Sequence, residues 1–186
     1  FAFFNTDLYI ADLGNHVIRK LDFDDGTIST VAGTGEDGYS GDGGAATSAK
    51  FSNPTAIAFD SKGIMYIADY SNHIIRKVDT DGNISTFAGT GTGGYSGDDG
   101  EASSAKIDNP INLIVDKADN VIFVHWSTSS PVIRKVWKGS YIVTTIVGTG
   151  VSGYSTNKNA KARAGSNTLA INMQANRAPS TSLRFS

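Results

Sequence analysis

The stretches "LYIADLGNHVIRKLD" at Leu8–Asp22 and "MYIADYSNHIIRKVD" at Met65–Asp79 are the same sentence written twice, 57 residues apart. After a one-residue gap the match resumes at an offset of 56, with "ISTVAGTGEDGYSGDGGAATSAKFSNPTAIAFD" from Ile28 lying over "ISTFAGTGTGGYSGDDGEASSAKIDNPINLIVD" from Ile84. A third, more worn copy follows as "VIFVHWSTSSPVIRKV" from Val121 and "VTTIVGTGVSGYS" from Val143. One unit of about 57 residues written three times must be read unit by unit, because repetition at fixed period builds arrays whose members complete their cores against neighbours. The units fall at about 1–50, 51–106 and 107–165, and "NTLAIN" supplies a further first strand at 167–172. Residues 1–173 are thus expected to form the repeat segment, and 174–186, which have no repeat character, a tail or linker.

Each unit reads as four short strands. "PTAIAFD" starts after a proline and has the content of a buried strand, "GIMYIAD" follows a Ser-Lys-Gly turn, "HIIRKVD" alternates apolar and charged residues, and "ISTFAG" follows the turn at Asp81 and Gly82. Runs this short and this rich in β-branched and aromatic side chains do not make helices. Four-stranded antiparallel units at fixed period predict an all-β chain of propeller blades, about three of them.

Composition removes several classes of function. A formal net charge of −2 offers no field to attract nucleic acid or anionic lipid. There are no cysteines, so neither disulfides nor thiolate metal sites can form. No apolar run reaches the roughly 20 residues of a membrane span. The chain opens without Met and without a signal-peptide pattern, as a processed or partial chain would.

"YIADLGNHVIRKLD" and "YIADYSNHIIRKVD", each followed by "AGTG" and then "NP" before the next strand, resemble NHL repeats, named for such an Asn-His core. The resemblance covers about Leu8 to Ser155. It implies β-propeller blades, commonly six to a ring, and settings that are extracellular or at a cell surface as often as cytosolic. The third copy departs from the pattern: it lacks the Asn-His pair, and its His125 and Trp126 are read here against the Ala-Asp of the others. Six blades would need roughly 340 residues, so the chain is expected to be part of a six-bladed ring or one member of an assembly of partial propellers. Its opening "FAFF" reads as the end of a first strand, which makes the chain look permuted by one strand.

In an antiparallel meander the second-to-third turns and the blade-to-blade connections share one end. That loop face would carry the candidate binding residues Tyr39, Asp42, Tyr95, Asp98 and Tyr154 together with His16 and His73. The repeated polar residues Asp12, Asn15, Arg19, Asp69, Asn72 and Arg76 are expected to be structural, because a buried polar group without a partner costs about 1 to 3 kcal/mol. Asn83-Ile84-Ser85 is a glycosylation sequon at a turn, a candidate modification site in a secreted eukaryotic chain.

Chemical motifs dissolve on inspection. "GTGEDG" at Gly33–Gly38 fits G-x-G-x-x-G, but it recurs at Gly89 and Gly148 and leads to no helix, so it reads as a turn and not as a dinucleotide loop. "GYSGD" at Gly38–Asp42 lacks the final glycine of a nucleophile elbow. "DTDGN" at Asp79–Asn83 begins like a calcium loop but has Ile84 at the sixth position and Thr90 at the twelfth in place of glycine and glutamate, so it reads as a hairpin turn. The basic pairs Arg19-Lys20, Arg76-Lys77 and Arg134-Lys135 recur once per blade, spaced around the ring instead of clustered for nucleic acid. No catalytic residue, metal or cofactor is called for. The expectation is a non-enzymatic binding or structural module whose partner is another protein or a second copy of itself. The alternative is a propeller lyase or hydrolase with a metal at the mouth, held by His16, His73 and His125.

Overall fold

The computed structural model describes residues 1–126 and 131–148. The end of the third unit, Tyr154, the expected strand at 167–172 and the tail at 174–186 lie outside the described residues. Within them the chain is all-β, as the repetition predicts. β1 (Ala2–Phe4), β2 (Asp7–Asp12), β3 (Val17–Leu21) and β4 (Ile28–Ala32) form the first blade, in the order β1-β2-β3-β4. β5 (Pro54–Phe59), β6 (Met65–Asp69), β7 (Ile74–Val78) and β8 (Ile84–Ala88) form the second in the same order. The third holds β10 (Pro110–Val115), β11 (Val121–His125), β12 (Val132–Val136) and β13 (Ile142–Val147), and beside β13 a fifth strand, β9 (Gly100–Glu101), borrowed from the preceding connection. All pairings between these strands are antiparallel.

Local chemistry sets the strand ends. Before β6, Gly63 turns at φ 85° and its N–H bonds the Asp60 carbonyl at 3.1 Å. After β6, Tyr70–Asn72 make one 3-10 turn, and His73 ends it in the left-handed region at φ 58°. His16 does the same in the first blade at φ 55°. In all three blades the register between third and fourth strands shifts at the arginine, at Ile18/Arg19, Ile75/Arg76 and Ile133/Arg134. Such a bulge re-aims the side chain it carries.

The cores lie between blades. Ile18 and Ala32 of the first blade meet Ile57, Met65 and Ile67 of the second, with Phe51 of the connection sealed between them. Tyr66, Ala68 and Ile75 on the other face of the second blade meet Leu113, Phe123 and Val136 of the third. Alternation along a strand sends successive side chains to opposite faces, so β6 is buried at every position while β2 is only half-buried throughout. β1, β5 and β10 stand side by side and line a groove of about 620 Å³.

Candidate functional site

Residues 33–53 and 89–109 leave the fourth strand of one blade and lie across the next, as straps. The first is bonded to the outer edge of β8: Gly43 donates to the Ile84 carbonyl, Ile84 to that of Gly44 and Ala46 to that of Gly82, all at 2.8 Å. The second repeats this on β13, where Asp99 donates to the Val143 carbonyl at 2.8 Å and Ala102 to that of Tyr141 at 2.9 Å. Gly41 makes the first strap's tight bend at φ 94°, where a Cβ would stand 2.7 Å from the Ala49 Cα. Only glycine fits there.

Each strap closes over a buried arginine. Arg76 donates to Asp42 Oδ1 at 2.5 Å and to the Ser40 carbonyl at 3.1 Å, with its guanidinium 4.9 Å from the Tyr39 ring centre and 5.6 Å from that of Phe51. Asp42 Oδ2 accepts from the Thr86 N–H at 3.0 Å and from the Tyr39 hydroxyl at 3.1 Å. The third blade copies the arrangement: Arg134 bonds Asp98 through Nε at 3.0 Å and through its terminal nitrogen at 2.6 Å, and Tyr95 bonds Asp98 at 3.2 Å and meets Thr145 at 2.9 Å. Burial opposes ionisation of Asp42, but Thr86, the Arg76 charge and Tyr39 outweigh it and hold the carboxyl below its usual range. Burial acts likewise on Asp98 and is outweighed by Thr145 and Arg134.

Asp69 lies beneath Arg76, with its Oδ2 3.9 Å from the guanidinium. Its Oδ1 accepts the Ser52 N–H at 2.8 Å and its Oδ2 the Asn72 amide at 2.9 Å. Burial nonetheless pushes this carboxyl up to about 6, against the opposing pull of Asn72, Ser52 and Arg76. The third blade corrects the alignment drawn from sequence. His125 pairs with Pro110 as Asp69 pairs with Pro54, so His125 takes the aspartate's place and Trp126 that of Tyr70. It also takes the aspartate's task, since its Nδ1 accepts the Asp108 N–H at 3.3 Å. Burial and the Arg134 charge push His125 down to about 4. Its Nε2 is buried and has no partner among the described residues.

The expected site residues are therefore gathered by strap and blade. Tyr39 and Asp42 meet Asn72 and Arg76 of the following blade, where Asn72 donates to the Gly38 carbonyl at 2.8 Å. His16 Nδ1 accepts from the Asn53 N–H, and His73 Nδ1 from that of Asn109, each at 3.2 Å. In the first blade Asn15 bonds Asp12 at 2.9 Å and Arg19 bonds Asp12 at 3.5 Å. Asn83 is exposed beside Asp79, whose Oδ1 accepts its N–H at 2.8 Å. His16, His73 and His125 each accept a strap N–H through Nδ1, and among the described residues no group of three His, Asp or Glu side chains is placed to hold a metal ion. No described helix is long and apolar enough to cross a membrane. Thr86 and Thr145 were not singled out from sequence, though Thr30, Thr86 and Thr145 stand at one fixed position in "IST", "IST" and "VTT" and repeat as faithfully as the arginines.

Residues 23–96 match the family described as the Teneurin NHL domain. The chain is 33% identical over 108 residues to Teneurin-1 of Gallus gallus, an alignment covering 52% of this chain and 4% of the relative. It is 37% identical over 82 residues to human NHL repeat-containing protein 2, covering 40% of this chain and 11% of the relative. The chain thus spans only a small part of the curated relatives it matches. Among solved structures, a protein of unknown function from Bacteroides thetaiotaomicron is 26% identical with a TM-score of 0.55, over 63% of this chain and 29% of that one. A gluconolactonase from Xanthomonas campestris is similar in fold alone, at 14% identity and a TM-score of 0.53, over 76% of this chain and 43% of the other.

Proposed function

The chain belongs to the NHL-repeat β-propeller family, and from that premise we propose that it is a non-enzymatic binding or structural module that engages other proteins. The observation that carries this reading is the pair of strap tyrosines. Tyr39 and Tyr95 are 54% and 39% exposed, while their hydroxyls are anchored to Asp42 and Thr86 and to Asp98 and Thr145. Aromatic rings held in place before a partner arrives cost little entropy to dock, which is why tyrosine is enriched at binding hot spots. The neighbouring ionisable groups are committed to holding straps, as befits a scaffold.

The reading is tested with a random peptide library displayed on phage and selected on the purified chain. Selected peptides are expected to lose about tenfold or more in affinity on Tyr39→Ala or Tyr95→Ala, with near-ultraviolet circular dichroism reporting an intact fold. Binders indifferent to both substitutions would refute the loop-face site. Stoichiometric zinc in the purified protein, lost on substituting His16, His73 or His125, would overturn the non-enzymatic reading itself.

A further inference from the structure

The second and third blades each receive a strap from the blade before them. The first blade has the same receiving surface, and among the described residues nothing lies on it. A shallow groove of about 630 Å³ on that surface is lined by residues that include Asn15, Arg19 and Thr30. These are the counterparts of Asn72, Arg76 and Thr86, which hold the first strap by the Gly38 carbonyl, the Asp42 carboxylate and the Tyr39 hydroxyl. Exposure follows the missing strap. The arginine side chain is 36% exposed at Arg19 but 0% at Arg76 and 0% at Arg134. The residue at the outer strand edge is 58% exposed at Ile28 but 1% at Ile84 and 0% at Val143.

We propose that this face is a docking socket for an extended Gly-Tyr-Ser-Gly-Asp strap belonging to an NHL-type repeat outside residues 1–186. The strap adds a strand along the β4 edge at Ile28, as Gly43 and Gly44 do at Ile84. Its aspartate reaches the Arg19 guanidinium and the Thr30 N–H, and its tyrosine ring covers the guanidinium. Both straps of this sequence in the chain are already engaged, at Arg76 and Arg134. The third copy of the motif, Tyr154-Ser155-Thr156-Asn157, carries threonine where Gly41 turns at φ 94° and asparagine where Asp42 binds. A second copy of this chain is for that reason the weaker occupant.

The inference rests on the reading of the chain as a binding module but on a different surface. Its test is fluorescence polarisation with a synthetic peptide of the Gly38–Asn53 sequence, titrated with the full chain. Saturable binding is expected, weakened about tenfold or more by Arg19→Gln or Ile28→Lys in the chain and by Asp42→Asn in the peptide, and unchanged by Lys117→Gln at an exposed turn of the third blade. Absence of saturable binding, or binding equal in all variants, overturns the socket. Self-association of the chain that the peptide dissolves and Arg19→Gln abolishes overturns the proposed occupant in favour of a second copy. Failure here with the tyrosine test intact removes the socket alone, and the reverse result removes the loop-face reading alone.

Discussion

Asp69 and His125 perform one task with opposite titration. Each accepts a strap N–H, from Ser52 and from Asp108, under a buried arginine. Asp69 has its carboxyl raised from 3.8 to about 6 by burial. A raised value means that its contribution to stability is complete below about 4 and is lost as pH climbs through about 6. His125 is lowered from 6.5 to about 4, again by burial first. Its contribution is complete above 6.5 and is lost as pH falls through about 4. Urea midpoints measured from pH 7 to pH 4 are expected to show the wild type gaining on Asp69→Asn as the solution is acidified and losing ground to His125→Asn over the same range. Parallel curves would show that neither group titrates as its burial dictates. The equivalence itself could not be counted out along the chain. The β11–β12 turn runs from His125 to Val132, two residues longer than the turn from Asp69 to Ile74, and no motif marks where the extra residues enter.

The strap is the element that joins blades, and its parts depend on one another. Gly41 permits the bend, the bend delivers Asp42, and Asp42 neutralises an arginine with no exposed surface. Asp42→Ala is expected to cost about 2 kcal/mol, the scale of a charged hydrogen bond lost at a buried group, read as a lower urea midpoint at unchanged slope. A loss under about 0.5 kcal/mol, the range of ordinary surface substitutions, would show that the backbone carbonyls of Ser40 and Lys50, which accept from Arg76 at 3.1 and 3.5 Å, suffice for it. The strap's sequence was legible as a glycine-rich connection, because glycine spacing and the lack of a helix are local signals. Its target was not. Tyr39 and Thr86 stand 47 positions apart, and which distant pair meets is decided by how two blades pack, a quantity no local pattern encodes.

Across the whole molecule the cores sit between sheets, so stability passes from neighbour to neighbour as in other repeat arrays. The fold was legible at this scale for the same reason: offsets of 57 and 56 residues make every unit a witness to the others. The asymmetry between blades was not legible, since Ile28 and Ile84 open nearly identical sequences and differ only in what lies over them. Hydrogen exchange by NMR exposes that difference directly. The Ile84 amide, bonded to Gly44, is expected to exchange far more slowly than the Ile28 amide, its counterpart on the open edge. Equal protection would mean that the first blade's edge is already covered in solution.

Because the first and second units each encode a strap that acts on the unit after it, the pairing of strap with arginine crosses both boundaries between the described blades. Tandem duplication of the second unit therefore delivers a matched joint at both of its ends, because its own strap carries the Tyr-Ser-Gly-Asp that its own arginine receives. Point substitution has the opposite economy. A change in one repeat's Tyr-Ser-Gly-Asp wounds the next repeat, so a lineage that lets one strap drift must let the following blade's arginine drift with it, and inheritance along such a chain proceeds by staggered pairs.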